Sequence, residues 1–155
     1  MPAVDLKTVF AKLKSLGGLF ATLGLTLHTT EHGPSTQMTV TPELQGGPGV
    51  AHGGALMALL DTALGMQAME VALQRGCAAS TVEMKVNFLR PAAVGTSLYT
   101  RTEVQSEGKS LLVVTGTAFD RDSDAPIAFA VGTFNVYKPV RPAAQQAPEA
   151  PRQPD

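Results

Sequence analysis

Apolar residues recur along this chain with two different periods, and the switch between them divides it. Near the N-terminus, Leu6, Val9, Phe10, Leu13 and Leu16 fall three or four apart. They form one stripe of an amphipathic helix over residues 1–18, ended by Gly17 and Gly18. "LGLTLHTT" and "STQMTVTPEL" then alternate apolar with polar residues around the turn "EHGP", which predicts a hairpin. "QGGPGVAHGG", residues 45–54, is a glycine-rich loop. It leads into "ALMALLDTALGMQAMEVALQ", a long helix that the Arg75-Gly76 pair should cap.

Downstream the period becomes two. "STVEMKVNFLRP" places Val82, Met84, Val86 and Phe88 on one face. "TSLYTRTEVQ", "LLVVTGTAF" and "IAFAVGTFNVYKP" follow, separated by the turns "SEGKS" and "DRDSDAP". Connections this short join antiparallel neighbours, not parallel crossovers. Leu111 to Val114 is apolar on both faces, so that strand is expected at the centre of the sheet with cover on both sides. Residues 139–155, rich in Pro, Ala and Gln without periodicity, read as a disordered tail after a single domain of residues 1–138.

The long helix is apolar all round, and such a helix must be buried on every side. The fold class that follows is α+β: one curled antiparallel sheet of five or six strands around a central helix, with an extra helix at the N-terminus. Whatever the sheet leaves open needs a second copy of the chain, so self-association is expected from the pattern.

Composition narrows the function. A formal charge of -1 gives no footprint for nucleic acid. A single cysteine, Cys77, excludes an internal disulfide and fits a reducing cytoplasm; it reads as a buried, inert thiol. The first twenty residues lack the basic start and unbroken apolar run of a signal peptide. The long helix approaches membrane-spanning length, but Asp61, Gln67 and Glu70 interrupt it, so no membrane span is expected. His28 and His32 have a helical metal spacing but fall in a strand and turn with no further ligand nearby, so no metal is expected. The glycine loop lacks the Lys-Ser/Thr ending of a phosphate loop, and no cofactor is implied.

One residue breaks the apolar pattern with chemistry. Asp61 sits in mid-helix, where aspartate has poor propensity and burial of its charge is costly. The plainest reading is that it accepts hydrogen bonds from nearby backbone or Thr62 and fills a slot. Its setting suggests more. His52-Gly53-Gly54 sets backbone N–H groups at the start of the helix, where free donors and the dipole favour a developing oxyanion, and glycine lets a carbonyl approach closely. Gly53 and Asp61 are eight positions apart, roughly 12 Å at ~1.5 Å per residue. No single carbonyl can meet both on one chain. If they cooperate, each comes from a different subunit. Met57, Met66 and Met69 offer adaptable apolar walls, and Gly65 leaves room one turn beyond the acid.

"HGGALMALLDTALG" followed by "STVEMKVNFLRPA" resembles the hot-dog-fold acyl-CoA thioesterases of the phenylacetic-acid-degradation type, over roughly Leu25 to Tyr137. The resemblance implies a curled sheet wrapped around one helix, dimers through paired sheets, and a dimer of dimers. It implies that the Gly53 N–H polarises a thioester carbonyl while Asp61 of the other subunit acts as base or nucleophile. His52 would shape the turn and line the site, and the Thr81 hydroxyl would orient the attacking water. Relatives commonly carry Asn or Gln seven positions before the key glycine. Here that position is Gly46, and the neighbouring Gln45 could serve instead.

The substrate expected on this resemblance is an aryl- or medium-chain acyl-coenzyme A. A carboxylate sheltered by apolar surroundings is a stronger base than one in water. A mixed anhydride on Asp61 is the alternative route. For the phosphates of coenzyme A, Arg90 and Lys109 are the candidate cations, with Arg101 and Arg121 behind them; Gly54 and Met57 complete the expected substrate contacts. Two rival functions are a hydratase or dehydratase of acyl-CoA, and a module that binds acyl-CoA without cleaving it. "TALGMQAM" after Asp61 lacks the histidine of the former, and an intact Asp61 argues against the latter.

Overall fold

The computed structural model describes residues 5–139, so the expected tail lies outside the described residues apart from its first position. Two short helices come first: α1, Leu6–Ser15, and α2, Gly18–Thr22. Asp5 caps α1 by accepting the Thr8 N–H at 2.8 Å, and Phe10 anchors it against Phe20. The glycine pair that ends the helical stripe starts α2 at once, an element the sequence pattern did not predict. Leu16 and Leu19 face out there.

The strands are β1 (Thr26–Thr30), β2 (Gly33–Thr39), β3 (Gln45–Gly47), β4 (Val50–Ala51), β5 (Ala78–Phe88), β6 (Ser97–Glu107), β7 (Leu111–Asp120) and β8 (Pro126–Tyr137). Six of them form one antiparallel sheet in the order β1-β2-β6-β7-β8-β5. β3 and β4 make a separate two-stranded ribbon inside the glycine loop, which turns at Gly49 with φ 74°.

Helix α3, Gly53–Gln74, packs on the sheet, touching β2, β5, β6, β7 and β8. Leu59, Leu60 and Leu64 are fully buried against it. Gly116 on β7 and Gly132 on β8 let the helix approach: a Cβ at either would stand 2.5 Å and 3.2 Å from the methyls of Leu64. The helix stops where expected. Gly76 has φ 64°, its N–H bonds the Leu73 carbonyl at 3.0 Å, and the Cys77 N–H bonds the Ala72 carbonyl at 2.9 Å. Cys77 is half-buried, donating its thiol to the Arg75 carbonyl.

Three expectations need correction. First, α3 is not buried on every side within one chain. Met57 is 41% exposed, and Ala58, Asp61, Thr62 and Gly65 are half-buried along the same side of the helix. By length and composition this helix could cross a membrane, but half of its apolar window is buried inside the fold. Second, the inward row of β5 is not the alternation read from Val82. A bulge between Thr81 and Glu83 makes Val82 the extra residue, so the row facing the helix is Thr81, Met84, Val86 and Phe88. Val82 is 60% exposed. Third, β7 is central but covered on one side only. Leu112 and Val114 are fully buried, whereas Leu111 is 50% exposed.

Candidate active site

The site grows from the start of α3. His52 caps the helix: its Nδ1 accepts the Gly54 N–H at 2.8 Å, so the ring proton of the neutral histidine sits on Nε2. Of the two glycine N–H groups expected to be free, Gly54's is therefore taken. The Gly53 N–H has no acceptor among the described residues. It stands at the positive end of a 22-residue helix.

Around it lies a cleft of about 430 Å³ walled by Val50, Leu56, Phe88, Leu89 and Arg90. The Phe88 ring lies directly over the glycine; a Cβ at Gly53 would stand 3.2 Å from its tip. Any side chain here would press on the ring and crowd the N–H. Arg90 donates one guanidinium N–H to the Pro126 carbonyl at 2.9 Å, which fixes the group at the edge of the cleft. Phe88 and Leu89 were not singled out from the sequence as site residues. Their signal was available in "NFLRP", two large apolar side chains 53% and 49% exposed beside the proline that ends a strand.

Asp61, two turns along α3, is half-buried, not enclosed as expected. Its partner is neither Thr62 nor local backbone. Thr81 on β5 donates its hydroxyl to Asp61 Oδ1 at 2.9 Å. The bulge at Val82 is what makes this contact, because in an unbroken alternation along β5 Thr81 would point to the far face.

The remaining expected residues divide. Gln45 braces the glycine loop, its amide donating to the Pro42 carbonyl at 2.9 Å and accepting the Gly49 N–H at 2.8 Å. Both ends of its side chain are thus engaged within the loop. Gly46 packs on His52, where a Cβ would lie 2.7 Å from the His52 Cα, so an Asn or Gln could not occupy that position. Met57 and Gly65 lie on the open stripe with Asp61, but Met66 is buried in the core. Lys109 is at the wrong end for this chain's cleft. Its turn packs beside Arg75, which donates to the Gly108 carbonyl and pairs with Glu107 at the far end of α3. Arg101 lies on the outer face of the sheet, 3.2 Å from Asp124, and Arg121 follows the end of β7. His28 and His32 have local partners, Thr26 and Glu31.

A family model described as the thioesterase superfamily matches residues 48–127, a stretch that starts before His52 and ends past Arg90. The chain belongs to the thioesterase superfamily. Its fold is that of solved relatives. The Escherichia coli PaaI protein of the phenylacetic acid degradation operon is 24% identical with a TM-score of 0.73, covering 84% of this chain and 91% of its own. A phenylacetic acid degradation-related protein from Ralstonia eutropha is 25% identical with a TM-score of 0.67, covering 77% and 89%. A Bacillus halodurans protein solved with CoA is 25% identical with a TM-score of 0.68, covering 83% and 82%. No curated protein matches the chain. The sheet and helix described above are thus the hot-dog architecture of this thioesterase superfamily member.

Proposed function

We propose that this thioesterase-superfamily chain hydrolyses the thioester of an aryl- or medium-chain acyl-coenzyme A, at sites each shared by two copies. The observation that carries the reading is the Gly53 N–H, free of any acceptor among the described residues, at the first turn of α3 in a largely apolar cleft that also holds Arg90. Such a donor suits the oxyanion that forms when a thioester carbonyl is attacked. The Bacillus relative solved with CoA supports the class of leaving group, and the two phenylacetic-acid-related proteins support an aryl acyl group.

The base is Asp61 of the second copy. Thr81 holds one carboxylate oxygen, leaving the other to take a proton from water. The water oxygen attacks the carbonyl carbon while the carbonyl oxygen gathers charge on the Gly53 N–H. The C–S bond then breaks, and the thiolate of coenzyme A leaves with the proton returned from Asp61. Arg90 is suited to a phosphate of coenzyme A, and Lys109 could contribute only from another subunit.

β5 is an edge strand, so its outer hydrogen-bonding groups have no partner in the sheet. Antiparallel pairing with the β5 of a second copy, centred near Met84 and Lys85, carries Phe88 of one chain close to the level of Thr81 of the other. That arrangement brings the Gly53 of one copy towards the Asp61 of its partner. It also covers Val82 and closes the half-open stripe of α3, giving Asp61 the shelter that one chain does not provide.

Free-thiol release across a panel of aryl and aliphatic acyl-CoAs tests the reading. Turnover is expected, falling on the order of 100-fold or more in Asp61→Asn. Consumption without thiol would indicate hydration, and saturable binding without turnover would indicate a carrier. Either would overturn it.

A further inference from the structure

We propose that the corner where α1 meets α2 is a docking surface for an anionic lipid bilayer. The inference goes beyond the catalytic reading and does not rest on it. Leu16 belongs by period to the stripe that packs α1 inward, but the helix ends at Ser15. The glycine pair, with φ 72° and 65°, then turns the chain and leaves the leucine outside. Leu16 is 75% exposed, and Leu19, across the glycines, is 60% exposed. Two leucines held in water on either side of one tight turn add little to the packing of this chain.

The charge around them is one-sided. No acid lies between Asp5 and Glu31, a stretch that holds Lys7, Lys12 and Lys14. None of the three lysines pairs with a carboxylate among the described residues. Outside that stretch the chain has nine cations against thirteen acids, so a formal charge of -1 hides a positive patch on a negative body. Cations in a last turn suit the helix dipole, which accounts for Lys12 and Lys14 but not for Lys7 or the leucines. Lys7 and Lys14, two turns apart on one face of α1, border a groove of about 340 Å³ beside β1. Phe10, Ala11 and Leu27 line it. An apolar slot bordered by ammonium groups suits a molecule with an acyl chain and an anionic head.

These features select a bilayer over a folded protein. A stable protein partner needs a matching patch of about 800 Å² on each side. Two leucines at the tip of a turn need only a soft apolar layer to enter. Lysine stems lie along such a layer while their ammonium groups reach the phosphates. Contact of this kind lies on the surface and asks for no spanning helix. β1, beside the groove, is the opposite edge of the sheet from β5, so the corner stays open when two β5 strands pair. A two-chain assembly then presents it twice, and two weak contacts gain from avidity.

Flotation of the purified chain with phosphatidylcholine vesicles, with and without phosphatidylglycerol, tests this. Retention is expected on the anionic vesicles only, and it should weaken as salt is raised. Lys12→Gln and Lys14→Gln should each lower the partition coefficient about fivefold, and Leu16→Ser and Leu19→Ser about tenfold each. Lys138→Gln, the same change of charge beyond the end of β8, should leave it unchanged. All five positions are exposed, so melting temperatures should stay at the wild-type value. No retention on either vesicle, equal retention on both, or retention indifferent to the leucines overturns the inference. So does a change of assembly mass in Leu16→Ser, which would make the corner a contact between copies. Displacement by soluble polyglutamate that ignores the leucines would assign the corner to an acidic protein and also overturns it.

Discussion

Thr81 and Asp61, twenty residues apart in sequence, are joined by a 2.9 Å hydrogen bond from strand β5 to helix α3. The hydroxyl orients the carboxylate on the open stripe of the apolar helix, so its loss should affect catalysis more than folding. Hydrogen bonds to charged groups are worth ~1.5–3 kcal/mol, which corresponds to about 10- to 100-fold in rate. Thr81→Val is expected to lower kcat in thiol release by that factor, and Thr81→Ser should recover most of it. Thr81 is exposed in the single chain, so the urea midpoint should hardly move. A Thr81→Val enzyme as fast as wild type would remove the pair from the mechanism.

Gly46 and His52 make the opposite case, in which space and not chemistry fixes the residue. A Cβ on Gly46 would lie 2.7 Å from the His52 Cα, and backbone cannot swing aside as a side chain can. Gly46→Ala should destabilise the fold by about 1–3 kcal/mol, the usual result of overpacking. His52→Ala removes the cap on Gly54 and should lose roughly 1 kcal/mol, with His52→Asn recovering part of it. Denaturant midpoints of the three variants check both figures. If Gly46→Ala is as stable as wild type, the packing of this loop is wrong.

The parts of this site that were legible in the sequence are those set by local pattern. An acid in an apolar helix, a glycine pair at its start and a glycine cap at its end stand out without any structure. What was hidden depends on register and direction. A single extra residue at Val82 exchanges which side chains face the helix, and alternation alone cannot reveal it. The positions of Arg90 and Lys109 could have been deduced. β5 runs back along α3 and β6 returns, so the end of β5 lies by Gly53 while the β6–β7 turn lies by Arg75. The helix was read as wholly enclosed because its sequence averages over faces, whereas one stripe of it stays open in the single chain. Gly18 and Gly49 break the periodicity in the sequence, yet each introduces a short element, α2 and the β3–β4 ribbon.

The β7–β8 turn should be acid-sensitive through Asp120. The Asp122 N–H at 2.9 Å, with the Ser123 hydroxyl behind it, holds this carboxyl below the ordinary aspartate range. A carboxyl lowered in the folded state contributes stability that is present above the unfolded value and lost as pH falls through the folded value. Asp120→Asn should therefore be less stable than wild type at neutral pH, and the difference should shrink in acid. Paired urea titrations at neutral and strongly acidic pH check this. A gap that widened on acidification would contradict the assigned hydrogen bonds.

Gly65 separates the needs of one chain from those of the assembled site. It lies in the interior of α3, one turn beyond Asp61 on the half-open stripe, where glycine is about 1 kcal/mol worse than alanine. Nothing in the single chain requires it. Its φ is not in the left-handed region, and an added Cβ would meet only the Phe134 ring, at an ordinary 3.8 Å. Gly65→Ala should therefore raise the melting temperature by about 3 °C if folding alone is at stake. In the proposed shared site the same methyl would project beside the carboxylate, where the acyl group and attacking water have to fit. Thiol release should then fall, with KM rising more for bulky aryl thioesters than for short aliphatic ones. A gain in stability with unchanged kinetics would place the acyl group away from this turn of the helix, and a loss of stability would mean that the stripe packs more closely on its neighbour than a methyl allows.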